Sequence, residues 1–165
     1  GVCKEGEGER MTTMASDGKT VAADGQETWG AEPVRMDREK VKLVDGFLYA
    51  FTGVGALFDP CIAWYAKGAD PKEVPEAKGD NSTWGLSVFF PSRVEDFSST
   101  CPYKAEYHYP FALGSGTDFA MGAMLAGCEP RRAVEIAAEK NIHTGGKITV
   151  VEIPRETAKI AEAAE

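Results

Sequence analysis

Short apolar or alternating runs, punctuated by Gly, Pro, Asp and Asn, dominate the chain, and four stretches read as helix. The segment Thr12 to Asp24 carries Thr, Val and Ala on either side of Asp17-Gly18. That dipeptide is a strong two-residue turn signal, because both central positions of such a turn need φ > 0, so strands over 12–16 and 19–24 form a hairpin. A further strand pair is expected over 30–36 and 40–44. Gly46 to Gly53 is aromatic and bounded by glycines, which reads as a buried strand running into a turn. Leu57, Ile62, Trp64 and Tyr65 space a first helix over 55–67, and the Gly-, Pro-, Asp- and Asn-containing 68–82 reads as loop. Strands follow over 84–90, 94–99 and 103–108. Gly114-Ser115-Gly116 opens a helix of small residues over 117–126. Pro130 suits the first turn of the next helix, 130–140, whose Ala133, Val134, Ile136 and Ala137 make one broad apolar face. A last strand spans 147–153, Pro154 ends it, and 155–164 reads as a short surface helix. Strands, helix, strands, two helices, strand is the order of a layered α+β domain rather than of repeated βαβ units.

Composition narrows the picture. At 165 residues and 43% hydrophobic content the chain can bury one domain core. A formal net charge of −8 argues against a nucleic-acid surface. No apolar run approaches the roughly 20 residues that span a bilayer, and the Glu-rich Gly1 to Arg10 lacks the character of a signal peptide. Cys3, Cys61, Cys101 and Cys128 lie far apart with no C-x-x-C pair, so reduced thiols and a cytoplasmic location are expected. With only His108 and His143 in the chain, no multi-histidine metal site is expected, and nothing points to a cofactor. The expected organisation is a leader, propeptide or extension over 1–11, a domain over 12–153 and a C-terminal tail over 154–165.

The hairpin and the residues around it resemble the proteasome β-subunit and HslV peptidase family, the N-terminal-nucleophile hydrolases, over roughly Thr12 to Val151. Thr12 in Met11-Thr12-Thr13 falls at that family's nucleophile. Asp24 in Ala22-Ala23-Asp24-Gly25-Gln26 falls at its buried aspartate, and Lys40 in Glu39-Lys40-Val41-Lys42 at the lysine beside the nucleophile. Gly53, after Thr52, falls at the glycine whose N–H faces the oxyanion, and Ser115 at the accessory serine. Asn141 and Thr144, before Gly145-Gly146, fall where many subunits carry Asp and Ser. Each residue alone has an ordinary reading: Thr12 a strand former, Asp24 a turn residue, Lys40 a solvated cation, Gly114-Ser115-Gly116 a helix cap or weak anion site. The order and spacing of the whole set carry the resemblance.

The resemblance implies a four-layer α-β-β-α sandwich of two antiparallel sheets and a threonine-type endopeptidase subunit. A threonine hydroxyl needs a base, and a free α-amine with pKa near ~8 on the same residue can serve. A nearby lysine lowers the pKa of both groups, an aspartate holds the lysine, and the Gly53 N–H stabilises the tetrahedral oxyanion. Phe51 falls at the family's primary pocket residue, with a core role as the alternative. The implied partners are other copies of the chain in a homo-oligomeric ring, stacked or single, a peptide or unfolded-protein substrate, and an ATPase unfoldase; nucleic acid and membrane are not among them.

Three departures bear on this reading. Met11, not glycine, precedes Thr12, which must become N-terminal to act. Asn141 replaces a common aspartate. The 68–82 loop is too short and too rich in Gly and Pro for the family's second outer helix, so one helical layer is reduced and the pattern resembles the small bacterial and phage proteasome-like subunits. Two other functions fit the same residues: a non-catalytic assembly protein that retains its leader, and an N-terminal-nucleophile amidase acting on a small molecule.

Overall fold

Alternation along the strands decides which face each one buries, and here both faces of both sheets are used. The computed structural model describes residues 12–29, 32–76 and 83–155. The expected leader over 1–11 and the tail beyond 155 lie outside the described residues. Strands β1 (Thr13–Ser16) and β2 (Thr20–Ala23) form the expected hairpin. At its turn the Asp17 carboxylate accepts the backbone N–H groups of Lys19 at 2.9 Å and Thr20 at 3.0 Å, the local bonding that makes Asp a turn residue. Strands β3 (Glu27–Trp29) and β4 (Glu32–Arg35) make a small separate hairpin. Strands β5 (Val41–Val44), β6 (Phe47–Thr52), β7 (Gly85–Phe89), β8 (Val94–Ser98) and β9 (Cys101–Tyr107) form a five-stranded sheet in that order. Strands β10 (Phe111–Gly114) and β11 (Thr149–Glu152) flank the first hairpin in a four-stranded sheet, order β10-β1-β2-β11. Every pairing is antiparallel.

Helix α1 (Phe58–Ala66), entered through a 3-10 turn at Gly55–Leu57, covers the outer face of the five-stranded sheet. Helices α2 (Thr117–Leu125) and α3 (Pro130–Lys140) cover the outer face of the four-stranded sheet. The layers are therefore α1, sheet, sheet, α2 with α3: the expected α-β-β-α sandwich. Met14, Val21, Ala23, Leu48, Ala50, Phe89 and Phe111 fill the space between the sheets. Their strand neighbours point outward: Ala15, Ala22 and Ala112 meet Ala120, Ala133 and Ala137 of the helices. Small residues on both sides let α2 and α3 approach the sheet closely, and each fully buried large side chain elsewhere contributes about 1.5–3 kcal/mol.

Under α1 the packing is aromatic. Phe51 stacks on Phe58 with ring centroids 5.0 Å apart, and Trp64 meets Trp84 edge-on at 5.8 Å. The indole N–H of Trp64 donates to the Asp70 carbonyl and that of Trp84 to the Pro75 carbonyl, both at 2.8 Å. Those two bonds pin the 70–75 loop in the place where a second outer helix was judged absent. Beyond α1 the sheet face stays open as a cavity of about 630 Å³ between Phe47, Tyr65, Arg93 and Tyr103.

Several expectations need correction. Residues 41–44 pair with β6, and β4 pairs with β3, so 30–36 and 40–44 are not partners. Strand β10 was not anticipated: four residues are too few to show a period. Cys61 and Cys128 are free thiols, and burial pushes the Cys61 pKa up to about 12; Cys101 is disulfide-bonded, against the expectation of reduced thiols throughout. No helix of the described residues is long and apolar enough to cross a membrane.

Phe51 is 1% exposed, with Phe58 stacked on one side and Trp84 on the other. The structure thus places it in the core under α1 and not on an open pocket wall. Phe51→Ala is expected to cost about 3–5 kcal/mol of stability, the usual range for deleting a buried Phe, while the ranking of side chains cleaved from a peptide library stays as it was. Thermal melts and library profiling of the two proteins check this, and a changed ranking with an unchanged melt would return Phe51 to the pocket.

Candidate active site

The site lies at the end of the sandwich where β1 begins, and Asp24 organises it. Asp24 is 1% exposed and follows β2 directly. Its Oδ1 accepts the backbone N–H of Thr13 at 3.0 Å and the Lys40 ammonium at 2.8 Å, and its Oδ2 accepts the backbone N–H of Gly145 at 3.0 Å. The Lys40 ammonium also donates to the Gln26 carbonyl at 2.7 Å. A carboxylate and an ammonium both out of water are tolerated only when paired and hydrogen-bonded, and these are. Burial pushes the Lys40 pKa below its ordinary 10.5, and the Asp24 charge works in the opposite direction, sustaining the ammonium. Lys40 does not face solvent, so its ordinary reading as a surface cation fails.

Thr12 immediately precedes β1 and is 5% exposed. Its carbonyl accepts the Ser115 N–H at 3.0 Å. This contact exists because β10 pairs with β1, Thr13 opposite Gly114. Gly114 has φ +105°, and a Cβ there would fall 1.4 Å from the Thr12 carbonyl oxygen, so no other residue fits the approach. Thr13 points toward α2 and α3, where its hydroxyl lies 2.6 Å from the Thr144 hydroxyl and accepts the Gly116 N–H at 3.0 Å. Met14 points between the sheets. Thr12 itself lies outside the strand, and among the described residues the Asp24–Lys40 pair bonds the main chain of the next residue, Thr13, and not the Thr12 side chain. Among the described residues the Thr12 hydroxyl makes no hydrogen bond.

The accessory positions are placed as follows. Ser115 contributes its backbone beside Thr12, while its own side chain is exposed. Asn141 donates its amide to the Ser115 carbonyl at 2.7 Å and so holds that turn. Thr144 is 4% exposed and touches Thr13, not Thr12. Gly53 ends β6 at φ +116°, and a Cβ there would meet the Thr83 carbonyl at 2.7 Å, so glycine is required. The sequence marks Thr13 together with Thr12 but gives it no role of its own, and it gives none to Gln26, Gly145 or Arg38. Arg38 donates to the Gly53 carbonyl at 2.6 Å, and its backbone N–H to the Gly25 carbonyl at 2.9 Å, tying the Gly53 turn to the loop after Asp24. No local pattern marks Arg38. Thr13 had one signal, alternation, which gives consecutive threonines opposite faces. Among the described residues no three His, Cys, Asp or Glu side chains gather to hold a metal.

The fold has solved counterparts. No protein-family model matches the chain, and no curated protein does. Among solved structures, Thiobacillus denitrificans BPH aligns with a TM-score of 0.61 at 22% identity over 86% of this chain and 97% of that one. The structure of Thiobacillus denitrificans BPH in complex with epoxomicin aligns with a TM-score of 0.62, again at 22% identity, over 86% of this chain and 98% of that one. The likeness establishes the fold as proteasome-like.

Proposed function

We propose that the protein is a threonine-type endopeptidase subunit of a proteasome-like, self-compartmentalised protease, with Thr12 as nucleophile once residues 1–11 are removed. One observation carries the reading: a buried lysine–aspartate pair at the start of β1, with Asp24 bonded to the Thr13 N–H and to Lys40. Amine-assisted threonine chemistry calls for a positive charge near a strand-start threonine, and the lysine–aspartate pair reaches the main chain of the residue after Thr12. The freed Thr12 amine takes the hydroxyl proton, Oγ1 attacks the scissile carbonyl, and the Gly53 N–H receives the developing oxyanion. The amine then returns the proton to the leaving nitrogen, and water releases the acyl group by the reverse sequence. Lys40 holds down the pKa of both Thr12 groups, and Asp24 holds Lys40. A structural neighbour binds epoxomicin, which supports a site of the same class here. The proposal includes a homo-oligomeric ring that encloses the site, a heterologous interface closed by rotation.

The test is protein whose first residue is Thr12, incubated with epoxomicin and weighed intact. One inhibitor mass per chain, on a ring by light scattering, is the expected result, with no adduct on Thr12→Ala. A ring that takes no label would instead be the non-catalytic assembly protein. A labelled monomer would favour the small-molecule amidase.

A further inference from the structure

Helix α1 covers part of the outer face of the five-stranded sheet, and beside it lies the open cavity of about 630 Å³. That volume falls within the roughly 300–1,000 Å³ of small-molecule sites. Its walls are aromatic. Phe47, Tyr49, Tyr65 and Phe97 line it, the rings of Tyr49 and Tyr65 edge to face at 5.7 Å and those of Tyr65 and Phe97 at 5.6 Å. Tyr49 is 2% exposed, and among the described residues its hydroxyl makes no hydrogen bond. That hydroxyl is not sealed in: the one enclosed side-chain polar atom without a partner, among the described residues, is the Thr52 hydroxyl. The cavity is the space to which Tyr49 opens, so an unpaired hydroxyl stands in an otherwise aromatic wall. Burial, and then the charge of Asp45, push the Tyr49 pKa up to about 12. The hydroxyl therefore keeps its proton, and its lone pairs remain free to accept.

The charges around the cavity decide the kind of ligand. Glu95 is 5% exposed and accepts the Tyr65 hydroxyl at 2.7 Å and the Arg93 guanidinium at 3.1 and 3.2 Å. Lys104 lies 3.2 Å from Glu106 and 3.7 Å from Glu95. Both cations of the lining are thus matched by carboxylates of the protein. Asp45, at the turn between β5 and β6, also lines the cavity, and among the described residues it has no ion pair. Its charge reaches Tyr49. In a chain of net charge −8, an unmatched carboxylate beside aromatic rings attracts a cation.

We infer that this cavity is a binding site for a small organic cation, an ammonium group carried on a flat aromatic body. The body packs among the rings, and the ammonium N–H groups go to the Asp45 carboxylate and the Tyr49 oxygen. The inference does not rest on the proposed peptidase activity.

The experiment titrates the full chain by calorimetry with naphthalen-2-ylmethylammonium, with naphthalene-2-methanol as its neutral counterpart and with naphthalene-2-carboxylate. The ammonium is expected to bind about tenfold tighter than the alcohol, and the carboxylate weakest of the three. Asp45→Asn should bring ammonium and alcohol within about threefold of each other. Tyr49→Phe, which removes a single oxygen, should weaken the ammonium by about 3–10-fold. Ala66 is exposed at the end of α1 and lines the cavity, so Ala66→Phe should fill it and abolish binding of all three with the melting temperature held. No ammonium binding at about 1 mM would overturn the inference. So would undiminished binding in both Ala66→Phe and Tyr49→Phe, which would place the ligand elsewhere. Carboxylate bound as tightly as ammonium would overturn the cationic class.

Discussion

Thr12→Ala, in protein that begins at residue 12, is expected to lower peptide hydrolysis by about a thousandfold or more while the fold is retained. The magnitude follows from removing the group that makes and breaks the covalent bond, which leaves only binding and oxyanion stabilisation. The fold should persist because Thr12 is held through its main chain: its carbonyl accepts the Ser115 N–H, a contact alanine keeps. The side chain makes no hydrogen bond among the described residues, so the loss of stability should stay below about 1 kcal/mol. Progress curves with a fluorogenic peptide and a melting curve test both halves. Full activity in the alanine protein would remove Thr12 from the mechanism.

Asp24→Asn is expected to damage activity and stability together, which separates it from Thr12→Ala. The carboxylate accepts from the Thr13 N–H, the Lys40 ammonium and the Gly145 N–H. Asparagine keeps one acceptor oxygen and removes the charge, leaving a buried ammonium unpaired, a change that costs about 3–5 kcal/mol. In a chain of this size that lowers the melting temperature by roughly 10 °C or more. The pH profile carries a second signature. Burial already lowers the Lys40 pKa below 10.5, and the Asp24 charge opposes that shift. With the charge gone, Lys40 gives up its proton at a lower pH, so the alkaline fall in kcat/KM should move toward neutrality. The stability deficit should shrink as pH rises through the same range, because the neutral amine is cheaper to bury. A melting temperature within about 2 °C of the parent, together with an unmoved alkaline limb, would mean that the pair seen in the structure neither holds the fold nor sets the charge of Lys40.

What the sequence determined by itself was local chemistry. Asp17-Gly18 specified the first hairpin because only a few dipeptides tolerate its dihedrals, and the turn bonds of the Asp17 carboxylate follow from that. Gly116, Gly127 and Pro130 punctuated α2 and α3 to within a residue or two, and the Gly, Pro, Asp and Asn of 68–82 announced a loop, which is what the described part, 68–76, forms. The candidate site was legible as residue types in order: Asp24 and Lys40, placed by resemblance alone, turn out to be bonded to each other. Tertiary structure decided the rest. Strand β10 is four residues long and becomes a strand by pairing with β1, a partner distant in sequence, and that pairing sets Ser115 against Thr12. The Arg38 bond to Gly53 and the Thr13–Thr144 contact likewise join segments with no sequence signal in common. Phe51 shows the reason most directly. A period of two says that a strand has two faces, and in a half-solvated sheet hydrophobicity tells which is inside. In a four-layer sandwich both faces are covered, so alternation could not tell a pocket wall from a core side chain, and only the placement of α1 over Phe51 did.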